Sequence, residues 1–184
     1  MRILIADDES IIRLGLASML QDLGHEVVSA ADGREAITLA RQHRPDLAIL
    51  DIKMPFTDGL QAAQTLHSTQ PMPILILTAF SEQDLIEQAS DLPIHGYLIK
   101  PVQREDVAAA IAVAAKRFRD TARLEDQSAA LAEQLETRKL LDRAKAVLMA
   151  DGMSEESAHR HIQAQARRLR RTVSEVARSI VHAK

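Results

Sequence analysis

The chain contains 184 residues, of which 46% are hydrophobic and 27% are charged, and its formal net charge is −3. This is the composition of a globular protein with room for one large core and a smaller second unit. There is no cysteine, which excludes disulfides and thiol chemistry, and the apolar runs fall well short of the ~20 residues that a membrane helix needs. The N-terminus lacks the layout of a signal peptide, so we expect a cytoplasmic protein that does not associate with membranes.

Five short apolar runs lie in the first part of the chain, at residues 2–6, 26–30, 46–50, 73–77 and 96–99. They are rich in Ile, Leu and Val, which is typical of strands buried on both faces. The segments between them show helical spacing; one ends at Gly24, and another begins after Gly33 and ends before Pro45. Five successive β-α units predict an α/β fold with a doubly wound, five-stranded parallel sheet. In such a sheet the functional site lies at the carboxyl ends of the strands.

A long helical pattern follows the fifth run. No glycine or proline occurs between Pro101 and Gly152, and apolar residues recur there at spacings that sum from threes and fours. We expect a long last helix of the first domain that continues as a coiled-coil linker. Because the seam is rich in alanine, a single helix that covers the sheet is the alternative.

The last segment predicts a small all-α domain of three helices, at residues 139–150, 155–169 and 173–181. Asp151 and Gly152 form the first break, and Thr172 with Glu175 three residues later forms a capping box. The predicted organisation is therefore a first domain at residues 1–120, a helical linker at 121–137 and a second domain at 138–184.

Three carboxylates are expected at one edge of the sheet. Asp7 and Asp8 follow the first strand, and Asp51 follows the third, which is its neighbour in the predicted sheet. Clustered carboxylates repel one another, so a cation is expected, and Mg²⁺ suits oxygen ligands of this kind. Taken alone, the pair of aspartates also fits a helix N-cap ahead of Ser10.

Two further side chains are expected at the same edge. Thr78 ends the fourth strand and offers a hydroxyl, and Lys100 ends the fifth and offers a positive charge for a phosphate. A cis bond to Pro101 would aim the ammonium inward. This set permits attack by a carboxylate on phosphorus, with Asp51 on the central strand as the nucleophile.

These segments resemble the receiver domain of two-component signalling. The resemblance rests on Ile5-Ala6-Asp7-Asp8-Glu9, Leu50-Asp51-Ile52-Lys53-Met54-Pro55 with Asp58-Gly59, Leu77-Thr78-Ala79 and Tyr97-Leu98-Ile99-Lys100-Pro101. It implies that Asp51 accepts a phosphoryl group from a sensor histidine kinase. It also implies that Thr78 and Tyr97 form a conformational switch. The Mg²⁺ ligands that it implies are Asp7, Asp8, Asp51 and the Lys53 carbonyl.

The tail is basic, since residues 138–184 hold 11 basic and 5 acidic side chains. It contains no Phe, Tyr or Trp on which bases could stack, so Arg and Lys must supply any contact with nucleic acid. Charge alone leaves RNA binding and a solvated face of a dimerising module equally open. The candidate RNA-binding residues are Arg138, Lys139, Arg143, Lys145, Arg167, Arg168, Arg170 and Arg171.

The tail also resembles the ANTAR domain, a three-helix RNA binder of antitermination regulators. The resemblance rests on Ala144-Lys145-Ala146-Val147-Leu148-Met149, on Ser154-Glu155-Glu156-Ser157-Ala158, and on Ala166 and Val176-Ala177. It implies binding of RNA hairpins in leader transcripts. We expect a regulator that is not an enzyme and that forms a homodimer on activation, through the receiver or the linker. Two alternatives stay open: a DNA-binding response regulator, and a protein-binding switch that works without phosphorylation.

Overall fold

The computed structural model describes residues 1–79, 92 and 94–182. Its five strands are all parallel and lie in the order β2-β1-β3-β4-β5. Their bounds are β1 Arg2–Ala6, β2 Glu26–Ala30, β3 Leu47–Asp51, β4 Ile74–Thr78 and β5 Gly96–Ile99. The predicted doubly wound sheet is therefore confirmed, with two strands displaced by one residue.

Three helices connect the first four strands and pack against the sheet: α1 Ser10–Asp22, α2 Gly33–His43 and α3 Gly59–Thr69. The α2 and α3 helices begin with the side-chain caps Asp32 and Asp58, each of which accepts a hydrogen bond from the backbone N–H three residues later. The helix that the fourth β-α unit predicts between β4 and β5 falls outside the described residues.

The sheet is buried on both faces, as its apolar strands predict. Every residue of β3 and β4 is buried. One face packs α2 and α3 over a cluster that includes Leu50 and Ile76, and the other packs α1 and the start of the last long helix over Ile49 and Leu77. Neighbouring residues of a strand thus belong alternately to the two cores, and the residues at the C-terminal end of each strand lie at the carboxyl edge of the sheet.

A single helix of 47 residues, α4, spans Arg104–Ala150. The prediction of a separate helix beginning at residue 139 was wrong, because nothing in this segment breaks a helix before Gly152, whose φ is +93°. The chain divides into two compact units, Met1–Ala122 and Arg123–Lys184, so the division falls within α4. The finer bounds of 120 and 138 remain predictions.

The second unit contains the C-terminal half of α4 with α5 Glu155–Leu169 and α6 Val173–His182. These helices share a small core that includes Ala144, Ile162 and Val176. The predicted capping box is confirmed: Thr172 N donates to a Glu175 carboxylate oxygen at 2.9 Å, and Glu175 N donates to the Thr172 hydroxyl at 3.2 Å. Within the described residues, no helix is both long and apolar enough to cross a membrane.

Candidate phosphoacceptor site and basic helical surface

The carboxyl ends of β1 and β3 bring three carboxylates together. Asp7 and Asp8 follow β1. Asp51 is the last residue of β3 and not the first residue after it, because β3 ends one residue later than predicted, where Asp51 pairs with Leu77 of β4. Carboxylate oxygens of all three lie within 4.8 Å of one another. Asp7 and Asp51 are buried, whereas Asp8 is exposed. The predicted convergence at one edge is thus present in the structure.

Lys100 lies between the two buried carboxylates. Its Nζ is 2.8 Å from Asp7 Oδ2 and 2.8 Å from Asp51 Oδ1. Burial by itself lowers the pKa of Lys100, but hydrogen bonds and charge attraction from Asp51 and Asp7 outweigh burial and raise the pKa above its usual value. The side chain is therefore a fixed ammonium that partly neutralises the acidic cluster. Lys100 directly follows β5, and its bond to Pro101 is cis, as expected.

Asp7 is held by the backbone and does not cap α1. Its Oδ1 accepts a hydrogen bond from Glu9 N at 2.8 Å, while α1 begins at Ser10 without any side-chain cap bond. The helix-cap interpretation of the aspartate pair is therefore not supported. Arg13 on α1 donates to the Asp7 carbonyl at 2.6 Å, which ties the loop after β1 to the helix.

The loop after β3 is held tightly by Gly59 at the start of α3. Gly59 N donates to the Ile52 carbonyl at 3.0 Å, and a Cβ added to Gly59 would overlap the backbone oxygen of Asp51. Only glycine permits this approach of α3 to the end of β3. The position of the Asp51 carboxylate therefore depends on a residue without a side chain.

A cavity of about 420 Å³ opens beside the acidic cluster, and Asp8, Lys53 and Asp58 contribute to its lining. Lys53, whose carbonyl is a predicted Mg²⁺ ligand, and the exposed Asp8 therefore line the same cavity. The available donors are oxygens, the ligands that Mg²⁺ prefers, and the single ammonium of Lys100 contacts two of the three carboxylates, Asp7 and Asp51. The residues present therefore fit a divalent cation of this type.

The two predicted switch residues occupy different environments. Thr78 is buried at the end of β4, and its hydroxyl donates to the Ala79 carbonyl at 3.1 Å. Tyr97 lies on β5 and is 37% exposed; partial burial raises the pKa of its phenol. Glu9 is a site residue that the sequence reasoning did not single out: its carboxylate is 3.8 Å from Lys100 Nζ. Its place directly after the aspartate pair was the available signal.

The predicted basic residues all lie in the second unit, on α4 and around the end of α5. Seven of the eight are exposed. Lys145 differs, since its ammonium contacts Glu155 at 2.9 Å and Asp142 at 3.1 Å. The hydrogen bonds that Lys145 donates to Glu155 and Asp142 raise the pKa of its ammonium above the usual value. Lys145 thus links α4 to α5 and shares its charge with two carboxylates.

The cluster at residues 167–171 surrounds the end of α5. Arg170 is the C-cap residue in the left-handed region, with φ of +52°, and its N–H bonds to the Ala166 and Arg167 carbonyls. Arg171 lies 3.8 Å from Glu175. The turn therefore holds four exposed guanidinium groups close in the chain, with one carboxylate near them. Arg178 on α6 is a further exposed basic residue that the sequence reasoning did not select.

Two protein families match the chain. The response regulator receiver domain matches residues 3–112, and the ANTAR domain matches residues 129–181. Among solved structures, a response regulator receiver domain protein from Clostridium thermocellum superposes with a TM-score of 0.60 at 30% identity and covers 64% of this chain and 96% of that one. The chemotaxis protein CheY4 of Vibrio cholerae gives a TM-score of 0.57 at 32% identity, with 60% and 95% covered.

Curated relatives of the chain are named as regulatory proteins. The transcriptional regulatory protein PdtaR of Mycobacterium tuberculosis is 47% identical over 182 residues, which cover 98% of this chain and 89% of that protein. The positive alginate biosynthesis regulatory protein of Pseudomonas aeruginosa is 40% identical over 119 residues, which cover 63% of this chain and 48% of that protein. The chain therefore belongs to the response regulator family of two-component signalling, with a receiver domain followed by an ANTAR domain.

Proposed function

We propose that a sensor histidine kinase phosphorylates this response regulator on Asp51 and that its ANTAR domain then acts as an RNA-binding transcription antiterminator. The observation that carries the proposal is the ion-pair geometry at the sheet edge, where Asp51 and Asp7 share the Lys100 ammonium. The match of the basic second unit to the ANTAR domain supports the RNA-binding part.

The chemistry assigned to the receiver is transfer of one phosphoryl group. An Asp51 carboxylate oxygen attacks the phosphorus of a phosphohistidine, and the phosphorus–nitrogen bond breaks as the new phosphorus–oxygen bond forms. The released imidazole nitrogen takes up a proton. Lys100 offsets negative charge on the transferring oxygens from its position 2.8 Å from Asp51. Asp7, Asp8, Asp51 and the Lys53 carbonyl would hold Mg²⁺, which would supply further charge neutralisation.

The signal then passes through the two switch residues. The Thr78 hydroxyl, which now donates to the Ala79 carbonyl, is placed at the edge that would receive the phosphoryl group. Its turn towards a phosphoryl oxygen is the proposed first step. Tyr97 on the neighbouring strand β5 is the proposed responding residue, because it is already partly exposed.

Dimerisation on activation is assigned to the exposed face of α4. Leu124, Leu131 and Leu135 are 65%, 60% and 57% exposed, and their spacings of seven and four place them on one face of the helix. A second copy of this helix would bury them, and the surrounding alanines make the seam weak enough to need a further contact. Light scattering should show more dimer after addition of a phosphodonor. A tight dimer before that addition would contradict this assignment.

Phosphorylation is tested with a small phosphodonor and Mg²⁺. The wild-type chain should take up one phosphoryl group, and Asp51→Asn should abolish labelling. Asp8→Asn, the matched control, should retain the nucleophile and require more Mg²⁺, because that carboxylate is a ligand. Full labelling of Asp51→Asn would overturn the assignment.

RNA binding is tested by its dependence on salt. The second unit must bind largely through phosphate contacts, each of which contributes about 0.7 to the logarithmic salt slope for single-stranded RNA. Replacing Arg170 and Arg171 by alanine should weaken binding and reduce the slope by one to two contacts, roughly 0.7–1.4. Tighter binding to duplex DNA than to hairpin RNA would favour the DNA-binding alternative. Unchanged function of Asp51→Asn in the presence of a protein partner would favour the phosphorylation-independent switch.

A further inference from the structure

The second unit contains a groove of about 490 Å³ between α4 and α5, and none of the arginines at residues 167–171 lines it. Ala130 and Leu141 on α4 contribute apolar surface to it, and His159 on α5 contributes an imidazole ring. Arg138 and Asp142 bring charges of opposite sign to the same groove. The groove thus combines apolar surface with a small number of polar groups, as sites for small molecules do.

The charges in the groove disfavour a phosphate. Glu133 and Asp142 both line it, and either carboxylate would repel a phosphate oxygen. Lys145 also lines it, but the ammonium is already in contact with Asp142 and Glu155 and retains only 20% side-chain exposure. A neutral ligand that carries both hydrogen-bond donors and acceptors is therefore the better match, because carboxylates accept and guanidinium groups donate.

The imidazole of His159 gives the groove a planar surface. Residues 138–184 contain no Phe, Tyr or Trp, so histidine and arginine are the planar side chains of this segment. His159 is exposed, and the Gln163 side-chain amide nitrogen lies 2.9 Å from its Nε2, which restricts the ring orientation. Unpaired RNA bases stack on histidine rings and on guanidinium planes.

We propose that this groove receives one unpaired nucleobase from the loop of an RNA hairpin and stacks it on His159. Amino or imino groups at the base edge donate to Glu133 or Asp142, and base acceptors are met by Arg138. The phosphates of the same RNA are contacted elsewhere, by the arginines at residues 167–171. The inference rests on the proposed RNA-binding function and adds the part of the surface that distinguishes one loop from another.

The probe is a pool of RNA hairpins with one fixed stem and a randomised loop, offered to the full-length chain with a phosphodonor and Mg²⁺. The tightest hairpin is then prepared with an abasic site at each loop position in turn. One abasic position should weaken binding to the wild type by about tenfold, the typical contribution of one stacked base. His159→Ala should weaken the intact hairpin by a similar factor, and that abasic site should cause little further loss in the variant.

His161→Ala is the matched control, since His161 lies on the same helix and has Gln165 as a partner four residues later, 3.0 Å away, but lies outside the groove. His159→Phe should restore the affinity that His159→Ala loses, because a phenyl ring also stacks, and a merely structural histidine would not be rescued in this way. Unchanged affinity and loop preference in His159→Ala would overturn the groove assignment alone. If the wild type binds no hairpin more tightly than it binds the stem without a loop, both this inference and the proposed RNA binding are overturned.

Discussion

Replacing Lys100 by methionine should destabilise the receiver unless a divalent cation is present. Two unit charges 2.8 Å apart attract by about 6 kcal/mol at an effective dielectric constant of ~20, and Lys100 makes two such contacts. Desolvation offsets most of this attraction, and breaking a buried ion pair typically costs about 3–5 kcal/mol. Because the Lys100 side chain is 17% exposed, we expect a loss near the lower limit, about 3 kcal/mol.

The assay is urea unfolding at neutral pH, first in EDTA and then with increasing Mg²⁺. Lys116→Met is the control, because Lys116 is an exposed lysine of α4 and its loss should change stability by less than about 0.5 kcal/mol. Mg²⁺ should recover much of the stability lost in Lys100→Met, since it supplies the positive charge that the variant lacks. Stabilisation by a bound ligand reaches about 2.7 kcal/mol at one hundred times its dissociation constant.

Two results would refute this reasoning. Equal stability of Lys100→Met and Lys116→Met in EDTA would mean that the ammonium does not stabilise the buried carboxylates. Absence of any Mg²⁺ effect on either variant would mean that the three carboxylates do not bind the cation.

Three further perturbations follow from individual contacts. Gly59→Ala should lower the free energy of unfolding by about 2 kcal/mol or more and slow phosphorylation, because the added Cβ overlaps the backbone of Asp51. Gly15→Ala in α1 is the control: its Cβ meets open space, and it should stabilise the chain by about 0.5–1 kcal/mol. Thr172→Ala should lower the thermal midpoint of the second unit through a loss of about 1 kcal/mol, and an unchanged midpoint would contradict the capping role. Burial, aided by the nearby charges of His67 and Arg117, lowers the pKa of His95, so the folded state favours the neutral ring. The unfolded state therefore binds protons first, and the stability that the neutral ring contributes is lost as the pH falls below about 6.5. His95→Phe should therefore lose less stability than wild type between about pH 7 and pH 5, and equal losses would contradict the burial argument.

The sheet and its acidic edge could be predicted because each needs only local sequence. Apolar runs define the strands, and parallel strands place their carboxyl ends at one edge. The exact end of β3 could not be predicted, since it depends on pairing with β4: Asp51 is opposite Leu77, and Ile52 N donates to the Leu77 carbonyl at 3.1 Å. Strand ends of this kind are decided by the neighbouring strand.

Side-chain contacts between secondary-structure elements could not be predicted from the sequence patterns. The reach of Arg13 to the Asp7 carbonyl depends on how α1 is seated, and the Lys145–Glu155 pair depends on the packing of α5 against α4. The absence of Gly and Pro predicted a continuous α4, but the residue pattern was also interpreted as a separate helix that begins at residue 139, a boundary that the backbone does not have. Helix propensity prevailed because no cap or breaker opposes it there.

The coupling of the two domains is tested most directly by one RNA affinity measured in two states of the receiver. The full-length chain and Asp51→Asn are titrated with the tightest hairpin of the randomised-loop pool, each with Mg²⁺ and with or without a small phosphodonor. The phosphodonor should raise the affinity of the wild type by about tenfold, a typical coupling between two sites, and should leave Asp51→Asn unchanged. An equal affinity in both states of the wild type, or the same rise in Asp51→Asn, would contradict control of RNA binding by phosphorylation of Asp51.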